Sequence, residues 1–190
     1  MTLFNRFAQW LVPKLENWCE RTGRTMNITG KQGPMDVYLV RCFLFRSPLF
    51  CIYIHRFLRS DQDDPHDHPF DFTGYVVKGG YNEWSYTRYY NLMDQLVLCG
   101  TVSRRKEGTW AKRKAQHIHK VIVDQSLPYD RRKEAVLTVI FRGPGKRDWN
   151  FYRLFGQPWI GHLARGKGVC SKAKQTVWYE YLGVKPHSRE

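Results

Sequence analysis

Between residues 37 and 155 the chain is a succession of short aromatic and β-branched runs, each closed by glycine, proline, asparagine or aspartate. Side chains of these types fit a pleated, half-buried surface, and short runs parted by turns indicate an antiparallel sandwich or barrel. The predicted strands are 37–45, 50–59, 66–72 continuing as 74–78, 81–90, 96–103, 109–112, 117–123, 136–142 and 151–155. Arg46-Ser47-Pro48-Leu49 reads as a hairpin connection, and Gly79-Gly80 as a turn that tolerates positive φ. With 190 residues, 15% of them aromatic, the chain is large enough for one domain with a core of its own.

The flanks read differently. Leu3, Phe4, Phe7, Trp10, Leu11, Leu15 and Trp18 recur at three- and four-residue spacing, which predicts an amphipathic helix that Pro13 interrupts or kinks. A stripe of this kind can lie on a lipid surface, but packing onto the domain's own sheet is the more frequent outcome and is the one expected. Residues 22–34, with Gly23, Gly30, Gly33 and Pro34, read as loop. The expected organisation is a helix and loop over 1–34, a β-barrel over 35–155, and an extension over 156–190 packed on the barrel, with a short helix near 176–182.

Chemistry concentrates in two histidine pairs, His66-Asp67-His68 and His117-Ile118-His119. Residues i and i+2 of a strand point to one face, so each pair aims two imidazoles at one point. Imidazole suits Fe²⁺, Zn²⁺, Ni²⁺ or Cu²⁺. A third histidine from a second strand leaves positions open for water or substrate. Histidines beside Asp63 and Asp64 can also be no more than a polar loop, and His55, His162 and His187 read as structural or surface residues.

The spacing of these residues is similar to that of the cupin superfamily. Its first motif is Gly, five residues, His-x-His, three or four residues, Glu, six residues, Gly. His66 and His68 are followed at the right distance by Gly79-Gly80, and Gly108 precedes His119 by the eleven residues of the second motif. The resemblance spans residues 36–155, and His66-Asp67-His68-Pro69-Phe70-Asp71-Phe72 looks like small cupin-type proteins of bacteriophage genomes. It implies an all-β, double-stranded β-helix barrel, here preceded by a helix and followed by a short mixed tail. It also implies one divalent transition metal, Fe²⁺ ahead of Zn²⁺, Ni²⁺ or Mn²⁺, and a homodimer as one assembly. Two features depart from the pattern. The motif's Glu falls at Phe72 or Thr73, neither an anionic ligand, and Lys112-Arg113-Lys114 replaces the second motif's Pro-x-Gly. The implied ligands are therefore His66, His68 and His119 alone, or these with Asp71 brought round by a bulge near Pro69. His117 and Asp64, with Asp67, are expected as outer partners that fix a histidine tautomer.

A formal charge of +14 and a pI of about 9.8 favour anionic partners, either a small ligand or nucleic acid. Arg104-Arg105-Lys106, Lys112-Arg113-Lys114, Arg131-Arg132-Lys133 and Lys146-Arg147, near Trp110, Tyr129 and Trp149, can form a nucleic-acid face, though solvated loop rims are the plainer account. Arg41, Arg56 and Arg142 sit within or at the ends of apolar strands. Burying a guanidinium is costly without a partner, so these three are the candidates for gripping a carboxylate or phosphate. Tyr38, Tyr53 and Tyr75 are placed to line a pocket or fill the core.

Five scattered cysteines without a C-x-x-C argue against a disulfide framework and for a reducing cytoplasm. Cys42 and Cys51 flank a turn but read first as small buried groups. Residues 1–13 do not read as a signal peptide, no apolar stretch is long enough to span a bilayer, and no membrane partner is expected. The leading function is a metal-dependent cupin-type enzyme, of the Fe(II) oxygenase kind, acting on a small anionic ligand. The alternatives are a non-catalytic module that binds nucleotide or nucleic acid, and a sugar-nucleotide isomerase of cupin type.

Overall fold

The computed structural model describes residues 2–29, 37–61, 64–124, 135–163 and 166–177. One helix, α1 (Leu3–Arg21), precedes eleven strands. The strands are β1 (Thr25–Thr29), β2 (Val37–Arg46), β3 (Cys51–Phe57), β4 (Phe72–Lys78), β5 (Gly80–Tyr90), β6 (Leu96–Lys106), β7 (Trp110–Arg113), β8 (Ile118–Ile122), β9 (Val136–Arg142), β10 (Asn150–Leu163) and β11 (Gly166–Val177). The first sheet has the order β1-β2-β3-β9-β4-β7 and the second β10-β11-β6-β5-β8. Residue 66 adds a bridge to His119 on β8 and another to Phe151 on β10, so the second sheet returns on itself.

The strand order itself defines the architecture. From β3 to β9, counting the short segment at His66 as a strand, the chain crosses from one sheet to the other at every step except the β5–β6 hairpin. β3, β4, β7 and β9 form one wall, while the His66 segment, β5, β6 and β8 form the other. Neighbouring antiparallel strands that wind together in this way make a double-stranded β-helix, the cupin-type barrel that the resemblance implies. Its interior is packed at one end by Leu39, Phe57, Val121 and Val123 and at the other by Tyr53 and Ile140.

Several local expectations change. The stretch 22–34 is not all loop, because Thr25–Thr29 pairs with β2 as an edge strand; Gly30, Gly33 and Pro34 lie outside the described residues. The run 66–72 does not form one strand. His66 makes a single bridge and β4 begins only at Phe72, because Pro69 has no N–H to continue a ladder. β10 runs on past residue 155 to Leu163 and pairs with β11. Thr176 and Val177 therefore end a strand where a helix was expected, and 178–182 lie outside the described residues.

The cysteine reading also needs correction. Cys99 and Cys170 form a disulfide, because the β6–β11 register sets them opposite each other with Cα atoms 4.0 Å apart. Cys19, Cys42 and Cys51 are free and buried, as expected for Cys42 and Cys51. No helix among the described residues is long and apolar enough to cross a membrane.

Helix α1 is capped by Thr2, whose side chain accepts from Asn5 N at 3.2 Å, and it stops at Gly23, whose φ of +66° places it in the left-handed region. It continues through Pro13 to Arg21. It docks on the outer face of the first sheet. Of its apolar stripe, Leu15 and Phe4 join that contact, Phe4 with its ring 5.2 Å from that of Tyr75, while Leu3, Phe7, Trp10 and Trp18 stay exposed. The buried positions are Asn5, Ala8, Val12, Glu16 and Cys19, against Val40, Cys42, Ile54 and Leu137. Two polar anchors select this face. Tyr75 Oη donates to Asn5 Oδ1 at 2.8 Å, and the Arg56 guanidinium grips both carboxylate oxygens of Glu16 in a fully buried pair. Arg56, a candidate anion grip in the sequence, thus faces the helix, where Glu16 occupies its fork. It does not face the barrel interior.

Candidate metal centre

The backbone sets the centre. His66 N donates to His119 O at 3.0 Å and His119 N donates to His66 O at 2.9 Å, so the two residues are a hydrogen-bonded cross-strand pair on one face. His68 N then donates to Ala115 O at 3.0 Å, keeping the segment alongside the chain that leads into β8. Between the two histidines Asp67 points the other way and is fully buried. It accepts from Asn150 N and Tyr152 Oη, each at 2.9 Å, and lies 2.8 Å from Arg147 Nη1. It fixes the conformation of its segment and is not a partner of either imidazole.

On the interior face His66, His68 and His119 each bring one ring nitrogen within 4.8 Å of the other two. His68 Nε2 and His119 Nε2 stand 2.8 Å apart. Two nitrogens bound to one ion at about 2.1 Å lie about 3.0 Å apart in neighbouring octahedral positions and about 3.4 Å apart in a tetrahedron. The observed spacing therefore fits adjacent corners of a single coordination sphere.

The other ring nitrogens of His119 and His66 face carboxylates. His119 Nδ1 donates to Glu83 Oε1 at 2.9 Å, and His66 Nδ1 lies 3.3 Å from Asp61 Oδ2 and 3.4 Å from Asp64 O. A proton kept on Nδ1 leaves the Nε2 lone pair for a ligand role, and the nearby carboxylate raises its basicity. Glu83 is anchored in turn. Arg105 Nε donates to Oε2 at 2.6 Å, Arg113 Nε to Oε1 at 2.9 Å, and His117 Nε2 lies 3.6 Å from Oε1. Burial alone would raise the Glu83 pKa, but hydrogen bonds from His117, His119 and Arg113 hold it well below the usual carboxylate range. The donor set fits a divalent transition metal: neutral nitrogens converge on one point, and the tautomers of His119 and His66 are fixed from behind.

Burial keeps the imidazoles neutral. It depresses His66 to about 4, against smaller opposing effects of the Asp64 carbonyl and the Asp67 charge. His68 lies well below its ordinary value through burial and the facing His119 and His66. His119 is lowered by burial and partly restored by Glu83. Below pH 6.5 the unfolded chain takes up protons at these positions that the folded chain refuses, so stability must fall with pH. For His66 alone a shift from 6.5 to about 4 is on the order of 3 kcal/mol, present in full above pH 6.5 and lost as pH falls towards 4. Urea unfolding of the metal-free protein is expected to show this loss between pH 6.5 and 4, and a flat midpoint across that window would contradict it.

The remaining candidates are distributed as follows. Asp71 stays outside the cluster: its carboxylate accepts from Ala115 N at 2.8 Å and pairs with Lys146 at 2.9 Å and Lys114 at 3.3 Å. Those contacts, led by Lys146, hold it far below the usual carboxylate range. His117 shares the interior side with His119 and forms a second cluster with Glu83. Asp64 meets His66 through its backbone carbonyl, while its carboxylate lies 3.9 Å from Arg153. Asp63, Tyr129, Arg131-Arg132-Lys133 and His187 lie outside the described residues, as does the side chain of His162.

On the opposite wall Arg41 Nε donates to His55 Nε2 at 2.9 Å, and Arg41 stands over the Tyr53 ring, which stacks on His55. His55 therefore belongs to the interior. Arg142 stands over Phe70, whose ring stacks on His68. Arg41 is close enough to act on His68, and both arginines act on Tyr53. Tyr75 faces the helix and Tyr38 packs in the core. The sequence reading missed Glu83 and Asp61. The one available signal was Glu83 in alternation with Trp84 and Tyr86 on a predicted strand, an acid on the face opposite two aromatic rings.

The fold and site define a class, a cupin-type barrel with a histidine-rich interior. No protein-family model matches the sequence, and no curated protein matches it. Among solved structures, a cupin-2 domain protein of Rhodospirillum rubrum is similar at 9% identity over 66% of this chain and 72% of that one, with a TM-score of 0.46. The DMSP lyase DddQ of Ruegeria pomeroyi shares 12% identity over 62% of this chain and 51% of its own, TM-score 0.41. The Fe(II) protein HppE shares 10% over 62% and 55%, TM-score 0.40. The match spans about half the length of the lyase and of HppE.

Proposed function

We propose that the protein is a metal-dependent enzyme of cupin type, with His66, His68 and His119 holding one divalent ion, Fe²⁺ in the favoured case, and a small carboxylate or phosphate bound beside it. The observation that carries this reading is the 2.8 Å approach of two Nε2 atoms, one of them backed by a carboxylate on its own Nδ1. Three neutral nitrogens leave the charge of a divalent ion uncompensated, which favours an anion at the open positions. When bound, the ion supplies Lewis acidity and, as Fe²⁺, a site for oxygen-dependent chemistry. The protein's own part is to orient and shield. Glu83 and Asp61 hold the Nδ1 protons, Arg41 and Arg142 draw the anionic end of the ligand to the facing wall, and Phe70 and Phe72, each packed on His68, exclude water.

The test uses cobalt(II), whose visible absorption reports on its ligands. Acetate and inorganic phosphate, titrated into the cobalt-loaded protein, are expected to shift that spectrum. Arg142→Met is expected to weaken the effect by roughly 10-fold, the loss of one charged contact, while the metal remains at one ion per chain. A spectrum insensitive to every small anion would remove the substrate half of the proposal. Failure to bind cobalt would remove all of it.

A further inference from the structure

We propose that the outward face of α1 is a docking face for an anionic membrane surface, with the helix lying in the plane of the lipid headgroups. The helix is fixed on the barrel through Asn5, Ala8, Val12, Glu16 and Cys19, so its opposite face is held rigidly outward. That face carries Leu3, Phe7, Trp10 and Trp18, which are 83%, 53%, 57% and 44% exposed. The spacing 3, 7, 10, 14, 18 and 21 places these four with Lys14 and Arg21 on one stripe of a 3.6-residue helix. At one end Phe4 extends the apolar surface to Trp110, with the two rings 6.1 Å apart and Trp110 50% exposed.

Exposed aromatics in this number on one element mark an interaction surface, and the charges choose the occupant. Lys14 Nζ sits 3.6 Å above the Trp10 ring and Arg24 stands over Trp18. The stripe itself bears no acid: of the helix's two, Glu16 is buried on Arg56 and Glu20 falls outside the stripe spacing. A second copy of a +14 chain would set these cations against their own kind. Anionic headgroups complement them, and Trp, Phe and Leu beside Lys and Arg is the composition of helices that lie in the membrane interface. The proposal departs from the expectation of no membrane partner, and it uses only the part of the stripe that does not pack on the sheet.

The full chain is mixed with vesicles of pure phosphatidylcholine and with vesicles that also contain phosphatidylglycerol. Sedimentation with the anionic vesicles is expected, at least roughly 10-fold stronger than with the neutral ones and weakened by salt. Brominated acyl chains in the anionic vesicles are expected to quench tryptophan fluorescence of the unaltered protein. Phe7→Ser with Trp10→Ser, at positions more than half exposed, is expected to cut partitioning at least roughly 10-fold while circular dichroism is unchanged. Absence of quenching and of sedimentation overturns the proposal. So does an unaltered protein that is dimeric by ultracentrifugation and becomes monomeric in the double variant, which would make the stripe a contact between copies.

Discussion

His119→Ala is expected to take the protein from one bound divalent ion per chain to almost none. The loss should exceed the roughly 10–100-fold in affinity that changes behind a ligand typically cost. His66→Ala and His68→Ala should behave alike. Glu83→Gln keeps the shape of the side chain but loses the charge that holds the His119 Nδ1 proton, so the ion should bind within that 10–100-fold range and not vanish. His117→Ala should cost less than His119→Ala, because His117 supplies none of the three converging nitrogens and stands beside them, 3.6 Å from Glu83 and with its ring 5.5 Å from that of His119. Asp71→Asn should leave affinity unchanged, since its carboxylate is committed to Ala115, Lys114 and Lys146. Metal analysis and isothermal titration of these variants decide the ligand set. An Asp71→Asn defect as deep as that of His119→Ala would restore Asp71 as a fourth ligand.

The second large effect is on stability. Glu16→Ala leaves the Arg56 guanidinium buried beneath α1 without its carboxylate, and removing one partner of a buried pair costs about 3–5 kcal/mol. That is a substantial part of the roughly 5–15 kcal/mol that holds a domain of ordinary stability together. Replacing both partners, Glu16→Met with Arg56→Met, removes the stranded charge and should recover most of the loss. Urea midpoints measure both. If Glu16→Ala shifts stability by less than about 1 kcal/mol, the pair is as weak as a surface ion pair and does not choose the docked face of the helix.

The metal-centre residues divide by how far the chain must fold before they meet. His66 and His68 are legible because two residues along an extended chain share a face whatever the rest does. Gly108 and His119 are legible because Gly108, at a φ of +79°, begins a stretch of fixed length that leads into β8. Glu83 and Asp61 are not legible in that way. Glu83 reaches His119 because the β5–β8 register sets Ser85 opposite His119, two residues from Glu83 on the same face. Asp61 arrives through a loop contact, its N–H bonded to Val121 O. Arg113, where the resemblance expects Pro-x-Gly, shows its purpose only once Glu83 lies beside it.

Arg56 and α1 show a different limit. Strand β3 is buried on both faces, so polar–apolar alternation, the usual guide to which side faces the core, is absent there. Arg41 on β2 and Arg56 on β3 look alike in sequence, yet one faces the barrel interior and the other the helix. For α1 the 3.6-residue period locates the aromatic stripe but not the face that docks. The sheet takes the side with Ala8, Val12 and Cys19, whose small side chains allow close approach, and with Glu16, which answers Arg56. The Cys99–Cys170 bond belongs here too, since the two residues are 71 positions apart and become neighbours only in the β6–β11 register.

By itself, then, the sequence determined the β-rich class, the amphipathic helix and the histidines that share a strand face, because each rests on local geometry within a few residues. Only the tertiary structure decided which carboxylates stand behind those histidines, which arginine faces the interior, which side of α1 is left outward and which cysteines pair. These depend on register and on which face of a doubly buried strand is inside, and both are fixed when the two sheets close.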